Sequence, residues 1–195
     1  MKMKHSTYLI IGLGNPGREY KLNRHNIGYR VIDHLSNEWD ISVSHVRSKS
    51  IIGSDIFLEN KIVLAKPQTF MNQSGDAVRG LLRFYKTELD KILIIFDDLD
   101  LPLGTLRFRP EGGSGGHKGM TSIIEKIGSK SFPRMRLGIG RPIGNMDVAR
   151  FVLQDFNEDD EKTLQRIMVR AEEAIRMFIQ HGVYAAMSRF NSSAI

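Results

Sequence analysis

Residues 11–28 read IGLGNPGREYKLNRHNIG, from Ile11 to Gly28, and this stretch decides the fold. An apolar run, Tyr8 to Leu13, ends in a glycine-rich turn that delivers Asn15, Tyr20 and His25 before apolar spacing resumes at Ile27, Val31 and Leu35. Gly12, Gly14 and Gly17 satisfy G-x-G-x-x-G, the dinucleotide fingerprint, in which the third glycine already lies within the helix that receives the pyrophosphate. Here Pro16 interrupts the pattern, and the polar segment Arg18 to Asn23 delays the helix by about ten residues. No second strand ends in an acid roughly 20 positions on, because Asp33 falls within the helical spacing. The glycines therefore predict a tight turn leading into a long loop, and a nicotinamide cofactor is not expected.

Two more short, continuously apolar runs, Ile62 to Ala65 and Ile92 to Phe96, have the composition of strands buried on both faces. The segments KPQTFMNQSG and DDLDLPLG follow them. Helical spacing separates the runs, at Ile27 to Leu35 and at Ala77, Val78, Leu81, Leu82 and Tyr85. Thr105 to Arg109 and Met135 to Ile139 alternate, as strands with one less buried face do. Helices are expected through Met120, Ile123, Ile124 and Ile127, and through Leu164 to Phe178, the latter opened by the acids Glu158 to Glu161. Alternating strands and helices predict an α/β fold: a twisted, mostly parallel mixed sheet with helices packed on both faces. The 195 residues are expected to form a single catalytic domain, 1–195, with a core of about 7–190 and short flexible termini.

Composition narrows the chemistry. Zero cysteines exclude disulfides, thiolate metal sites and cysteine nucleophiles. The apolar runs are too short for a membrane span, and the start of the chain lacks the pattern of a signal peptide, so a cytoplasmic protein is expected. Lys and Arg outnumber Asp and Glu by 28 to 22, which favours a polyanionic partner. Position is more telling than total, because Arg107, Arg109, Lys118, Arg134, Arg136 and Arg141 surround the acidic spot Asp97, Asp98 and Asp100.

Ligands in open α/β sheets sit beyond the carboxyl ends of the strands, so the loops after the three apolar runs should converge. That would bring Asn15, Tyr20 and His25 near Phe70, Met71, Asn72 and Asp97. Asp97, the first polar residue after LIIF, is suited to orienting the His25 imidazole and favouring its protonated form. Asp97, Asp98 and Asp100 cannot all face inward from one strand end, so turn or capping roles fit Asp98 and Asp100 better than a metal site. Gly112 to Gly116 matches the nucleophile-elbow pattern G-x-S-x-G, but Pro110 and Glu111 break the strand that an elbow requires. Backbone amides of that loop remain candidates for holding an anion.

Taken together, GLGNPGREYKLNRHNIG, KPQTFMNQSG, FDDLDLPLG, GGSGGHKGMTSI and RMRLGIGRP, in this order, resemble the bacterial peptidyl-tRNA hydrolase family over residues 7 to 190. The resemblance implies a cytoplasmic, usually monomeric enzyme without metal or cofactor. It would cleave the ester between a peptide and the 3′ end of tRNA. It makes His25 the general base and Asp97 its stabilising partner, and it gives Asn15 the recognition of N-blocked substrates. Tyr20, Phe70, Met71 and Asn72 would line the cleft, with His117 at a motif position beside it. Arg109 and Arg136 would grip tRNA phosphate, with Arg107 and Arg134 nearby. One position departs: the family's GGHNG is GGHKG here, so Lys118 is a binding candidate whose contact does not carry over from asparagine. The alternative is a non-catalytic RNA-binding protein on the same fold.

Overall fold

The computed structural model describes residues 6–142 and 144–192. Seven strands form one mixed sheet in the order β2-β3-β4-β1-β5-β7-β6: β1 (Thr7–Gly12), β2 (His45–Arg47), β3 (Ser50–Phe57), β4 (Asn60–Pro67), β5 (Ile92–Asp98), β6 (Leu106–Arg109) and β7 (Arg134–Gly138). The centre β4-β1-β5-β7 is parallel. Antiparallel pairings make both margins. The expected parallel sheet is thus a parallel centre with antiparallel edges, and the three apolar runs are its buried middle strands. Parts of the termini expected to be flexible, residues 1–5 and 193–195, lie outside the described residues.

Helices cover both faces. On one, α1 (Ile27–Glu38) and α5 (Glu158–Phe190) pack over Ile10, Leu64, Leu93, Ile95, Phe108 and Met135. On the other, α2 (Ser74–Tyr85) and α3 (Lys118–Ile127) close over Leu9, Ile11, Val63, Ile94 and Phe96. A short α4 (Val148–Val152) was not legible as a helix; Asp147 caps it by accepting from Arg150 N at 3.1 Å. The predicted acidic start of α5 is a capping box, in which Asn157 Oδ1 accepts from Asp160 N at 2.8 Å and Asp160 Oδ2 from Asn157 N at 3.2 Å. Gly182, at φ 83°, interrupts α5 near its end. No described helix is long and apolar enough to cross a membrane.

The opening glycines have a packing role. A Cβ on Gly12 would collide with the carbonyl of Gly28, and one on Gly28 would meet the backbone of Leu13 and Ile95 at about 2.5 Å. The start of α1 therefore lies directly against the ends of β1 and β5. The helix begins only at Ile27, so the six-residue glycine pattern is a turn and no helix N-terminus lies within it.

Candidate active site

The loops beyond the carboxyl ends of β1, β4 and β5 converge on one cavity of about 810 Å³. β1 is where the chain reverses its direction of sheet building, with β4 on one side and β5 on the other, the usual location for a site in such sheets.

His25 occupies a short 3-10 turn, Arg24–Asn26, immediately before α1. Its neighbours anchor that turn to the far end of the chain. Asn23 Nδ2 donates to Asp155 Oδ1 at 2.7 Å, Arg24 N donates to Gln154 O at 2.9 Å, and the Arg24 guanidinium pairs with Asp160 at 2.9 Å. Asn26 locks a second position: its Nδ2 donates to Asn15 O and its Oδ1 accepts from Asn15 N, each at 2.9 Å. Asn15 in turn accepts from Met71 N through Oδ1 at 2.9 Å, tying the first loop to the second. That bond leaves Asn15 Nδ2 as the donor without a partner among the described residues, on a side chain that lines the cavity.

At the end of β5, Asp97 is 3% exposed and serves two imidazoles. His25 Nδ1 lies 2.8 Å from its Oδ1, and His117 Nε2 lies 3.0 Å from the same atom. Burial by itself would raise the Asp97 pKa, but the attraction of His25 and His117 and their hydrogen bonds outweigh it and hold the carboxyl well below the usual carboxylate range. The bonds also fix the protons. His117 Nδ1 accepts from Met120 N at 3.2 Å, so His117 carries its proton on Nε2 and donates it to Asp97. A neutral His25 likewise donates from Nδ1, leaving the lone pair of Nε2 as the basic position of the ring. The ligand atoms of His25, Asp97 and His117 lie within 4.8 Å of one another, close enough to hold a metal ion. In this structure one carboxylate oxygen already binds both rings, an arrangement that orients and stabilises a proton acceptor.

Most of the residues expected at the site are brought together. Asn15, His25, Phe70, Met71, Asn72 and Asp97 line the cavity, Phe70 at 58% exposure on its rim. His117 and Lys118 join them from the glycine-rich loop and the start of α3. Two expectations are corrected. Tyr20 does not line the cavity; it closes the turn Arg18–Tyr20, its carbonyl accepting from Asn23 N at 3.0 Å. Arg134 cannot reach a phosphate, since it is only 2% exposed. Its guanidinium donates to the carbonyls of Gly112 at 2.5 Å and Lys130 at 2.7 Å, and it lies 4.2 Å from the centre of the Phe132 ring. Burial pulls its pKa down to about 10, which Glu111 partly opposes, and leaves it charged at neutral pH. Arg134 therefore holds the root of the glycine-rich loop.

The other expected arginines, Arg107, Arg109 and Arg136, lie on β6 and β7 and are not among the residues that line the cavity. Arg107 and Arg109 are exposed on β6, with Arg136 opposite Arg107 on β7 and ion-paired to Asp98. Asp98 also accepts from Asp100 N at 2.8 Å, the turn role expected of it. Sequence reading missed Asn26, the Asp100–Arg141 pair and the α4 wall of Val148, Val152 and Leu153. An aspartate directly before an apolar run, Asp147 before Val148, was the available signal for α4.

Comparison with known proteins agrees with this geometry. The family model described as Peptidyl-tRNA hydrolase matches residues 9–195. A peptidyl-tRNA hydrolase of Thermoanaerobacter sp. (strain X514) is 46% identical over 184 residues, covering 94% of this chain and 99% of that protein. The chloroplastic peptidyl-tRNA hydrolase of Arabidopsis thaliana is 47% identical over 188 residues; the match covers 96% of this chain and 63% of the plant protein. The crystal structure of peptidyl-tRNA hydrolase from Acinetobacter baumannii superposes with a TM-score of 0.91 at 31% identity, covering 98% of this chain and 99% of the other.

Proposed function

This chain belongs to the peptidyl-tRNA hydrolase family, and from that premise we propose that it hydrolyses the ester joining a peptidyl or N-blocked aminoacyl group to the 3′ end of tRNA, with His25 as general base. The observation that carries the assignment is the Asp97 carboxylate bonded to both His25 and His117, which leaves His25 Nε2 as the basic nitrogen. Water held at Nε2 gives up its proton as its oxygen attacks the ester carbonyl, and the imidazolium that forms is stabilised by Asp97. When the bond from carbonyl carbon to ribose oxygen breaks, the departing oxygen takes that proton, yielding a free carboxylic acid and a 3′ hydroxyl. Asn72 is exposed on the cavity wall and supplies an amide donor for the developing oxyanion. An ester is activated relative to an amide, so this small set of groups is sufficient chemistry.

Asn15 accounts for selectivity. With Oδ1 committed to Met71 N, the free Nδ2 offers a donor to the acyl carbonyl that a blocked substrate has and a free aminoacyl group lacks. A free ammonium in that position would face the Asn15 Nδ2 donor where it needs an acceptor. Phe70, Met71 and the α4 wall form an apolar flank suited to peptide side chains. The exposed Arg107 and Arg109, with Arg136, supply phosphate contacts that do not depend on tRNA sequence. We place the enzyme where translation runs, in the cytoplasm, acting as a monomer, since every proposed catalytic group comes from one chain. Residues 7–190 are read as one catalytic unit.

The test is release of N-acetylaminoacyl groups from tRNA by wild type and by His25→Ala, with unblocked aminoacyl-tRNA alongside. Wild type should cleave the blocked ester preferentially, and His25→Ala should lose about 10²- to 10⁴-fold in rate. A wild type that binds tRNA but cleaves neither substrate is an RNA-binding protein, and a fully active His25→Ala removes His25 from the mechanism.

A further inference from the structure

Charge accounting around the cavity singles out Lys118. Of the carboxylates that line it, Asp97 is bonded to two imidazoles, Asp98 is paired with Arg136, and Asp100 with Arg141, whose Nε lies 3.0 Å away. Asp147 is the cap of α4. Arg141 is thereby neutralised, and Lys118 is the lysine or arginine of the lining that has no carboxylate partner among the described residues. Its position is firmly set. The preceding residue, His117, is bonded to Asp97 and also caps α3, while a Cβ on the following residue, Gly119, would meet Met71 Sδ at 2.6 Å. The first turn of α3 is thus packed on the Met71–Gln73 turn, and Lys118 shares the cavity wall with Asn72.

We propose that Lys118 binds a phosphodiester of the substrate's 3′-terminal nucleotides at the mouth of the cleft. The inference rests on the hydrolase reading and deepens it. Lys118 is exposed, so water screens its charge; an oxyanion at the reacting carbon needs donors in a water-excluded site, whereas a phosphate on the solvent side of the ribose does not. The first phosphodiester lies one ribose from the scissile ester, within the span of an extended lysine side chain. Lysine acts as a flexible point charge, giving affinity without demanding one phosphate orientation. The contact stands apart from those of Arg107, Arg109 and Arg136, which lie on the β6–β7 edge of the sheet.

The experiment compares two N-acetylaminoacyl esters, one of adenosine, which has no phosphate, and one of the trinucleotide CCA, which has two phosphodiesters. Wild type, Lys118→Gln and Lys118→Arg are assayed at low and moderate salt. Lys118→Gln should lower the trinucleotide-to-adenosine ratio of kcat/KM by about tenfold at low salt, through KM, and Lys118→Arg should restore most of it. The dependence of log(kcat/KM) for the trinucleotide on log salt should become shallower by about 0.7 in Lys118→Gln. An unchanged ratio overturns the proposal, as does a loss of kcat equal on both esters, which would move Lys118 to the reacting centre. If wild type cleaves neither these esters nor N-acetylaminoacyl-tRNA, the hydrolase reading itself falls. An active wild type with an unaltered ratio in Lys118→Gln removes only the phosphate assignment.

Discussion

Replacing Asp97 with asparagine keeps the shape of the side chain and removes its charge, so it separates what the carboxylate does from the space it fills. The buried Oδ1 accepts from His25 Nδ1 at 2.8 Å and from His117 Nε2 at 3.0 Å. With charge centres about 4 Å apart and an effective dielectric of about 20, a carboxylate attracts a full imidazolium by ~4 kcal/mol. A proton about half transferred in the transition state realises ~2 kcal/mol of this, or about 30-fold in rate. The amide adds a second loss. Whenever its NH2 faces His25, Nδ1 must accept, the ring proton moves to Nε2, and the basic position is blocked, a reversal worth up to about 10⁴-fold where it is complete. Because His117 also donates to this position, the amide oxygen is retained part of the time, and the expected fall in kcat is ~10²- to 10³-fold.

The assay is single-turnover release from N-acetylaminoacyl-tRNA, with thermal unfolding of each variant recorded alongside. Asp97 acts through His25, so Asp97→Asn added to His25→Ala should lower the rate by less than about threefold further. A folded Asp97→Asn within about threefold of wild type would refute the electrostatic argument. Effects that multiply in the double variant would show that Asp97 works independently of His25.

Three other outcomes follow from the same contacts. Asn15→Asp retains the oxygen that holds Met71 N but exchanges the free donor for an acceptor, so preference for blocked over free aminoacyl-tRNA should fall about 10- to 100-fold; an unchanged ratio sinks the selectivity argument. Arg134→Met should destabilise the fold by about 3 kcal/mol in urea unfolding by removing the donors that serve the carbonyls of Gly112 and of the buried Phe132, and should leave the salt dependence of tRNA binding alone. The reverse pattern would return Arg134 to the phosphate-binding set. Glu161 is held below the usual carboxylate range by its hydrogen bond and attraction to Arg30, against the opposing effect of burial. Its unfolded form therefore binds protons more readily, and the pair stabilises the fold above the ordinary glutamate pKa of about 4.3, losing that contribution as pH falls through the depressed folded value. Since the pair is partly exposed, Glu161→Gln should cost less than about 1 kcal/mol at pH 7, with the difference closing once the pH has fallen below the depressed folded value; a gap unchanged across the whole acid range would refute the linkage.

The middle of the sheet was legible because continuously apolar strands leave little ambiguity, and the site was legible because Asp97 ends one such strand and His25 follows another. The β2–β3 margin was not, and the turns on either side of β3 show why. Ser48 and Lys49 join β2 to β3, and Leu58 and Glu59 join β3 to β4, all with φ between 50° and 58°. Two-residue hairpin turns of this kind ordinarily announce themselves with Asn-Gly or Asp-Gly. Here residues that disfavour positive φ are held there by the strand pairing that each turn closes, three positions between β2 and β3 and eight between β3 and β4, so tertiary pairing overrides local preference. Arg134 misled for a related reason. In RMRLG its alternation with Met135 marks it as facing away from that residue's core, but the carbonyls that receive it belong to Gly112, Gly113, Lys130 and Phe132, assembled only when the loop folds over the strand. Asn26 was overlooked because its partner is backbone, which no side-chain pattern reveals.

The position of His117 explains how so small a set of groups keeps one protonation pattern. Its Nδ1 accepts from the third amide of α3, a bond the helix requires for its own first turn, and this forces the remaining proton onto Nε2. That proton can go only to Asp97, which is thereby kept ionised and aimed. An ionised Asp97 accepts from His25 and so selects the tautomer with a free Nε2. The order of dependence runs from a helix cap, through a carboxylate at the end of β5, to the basic nitrogen. The fold supplies each link without a separate device: the β5 end places Asp97, the glycine-rich loop rooted on Arg134 delivers His117, and the long loop after GLGNPG delivers His25. A serine at position 117 would cap α3 equally well and leave Asp97 with a single donor. Capping alone therefore does not account for a histidine there, and the ring's second nitrogen is the reason for it.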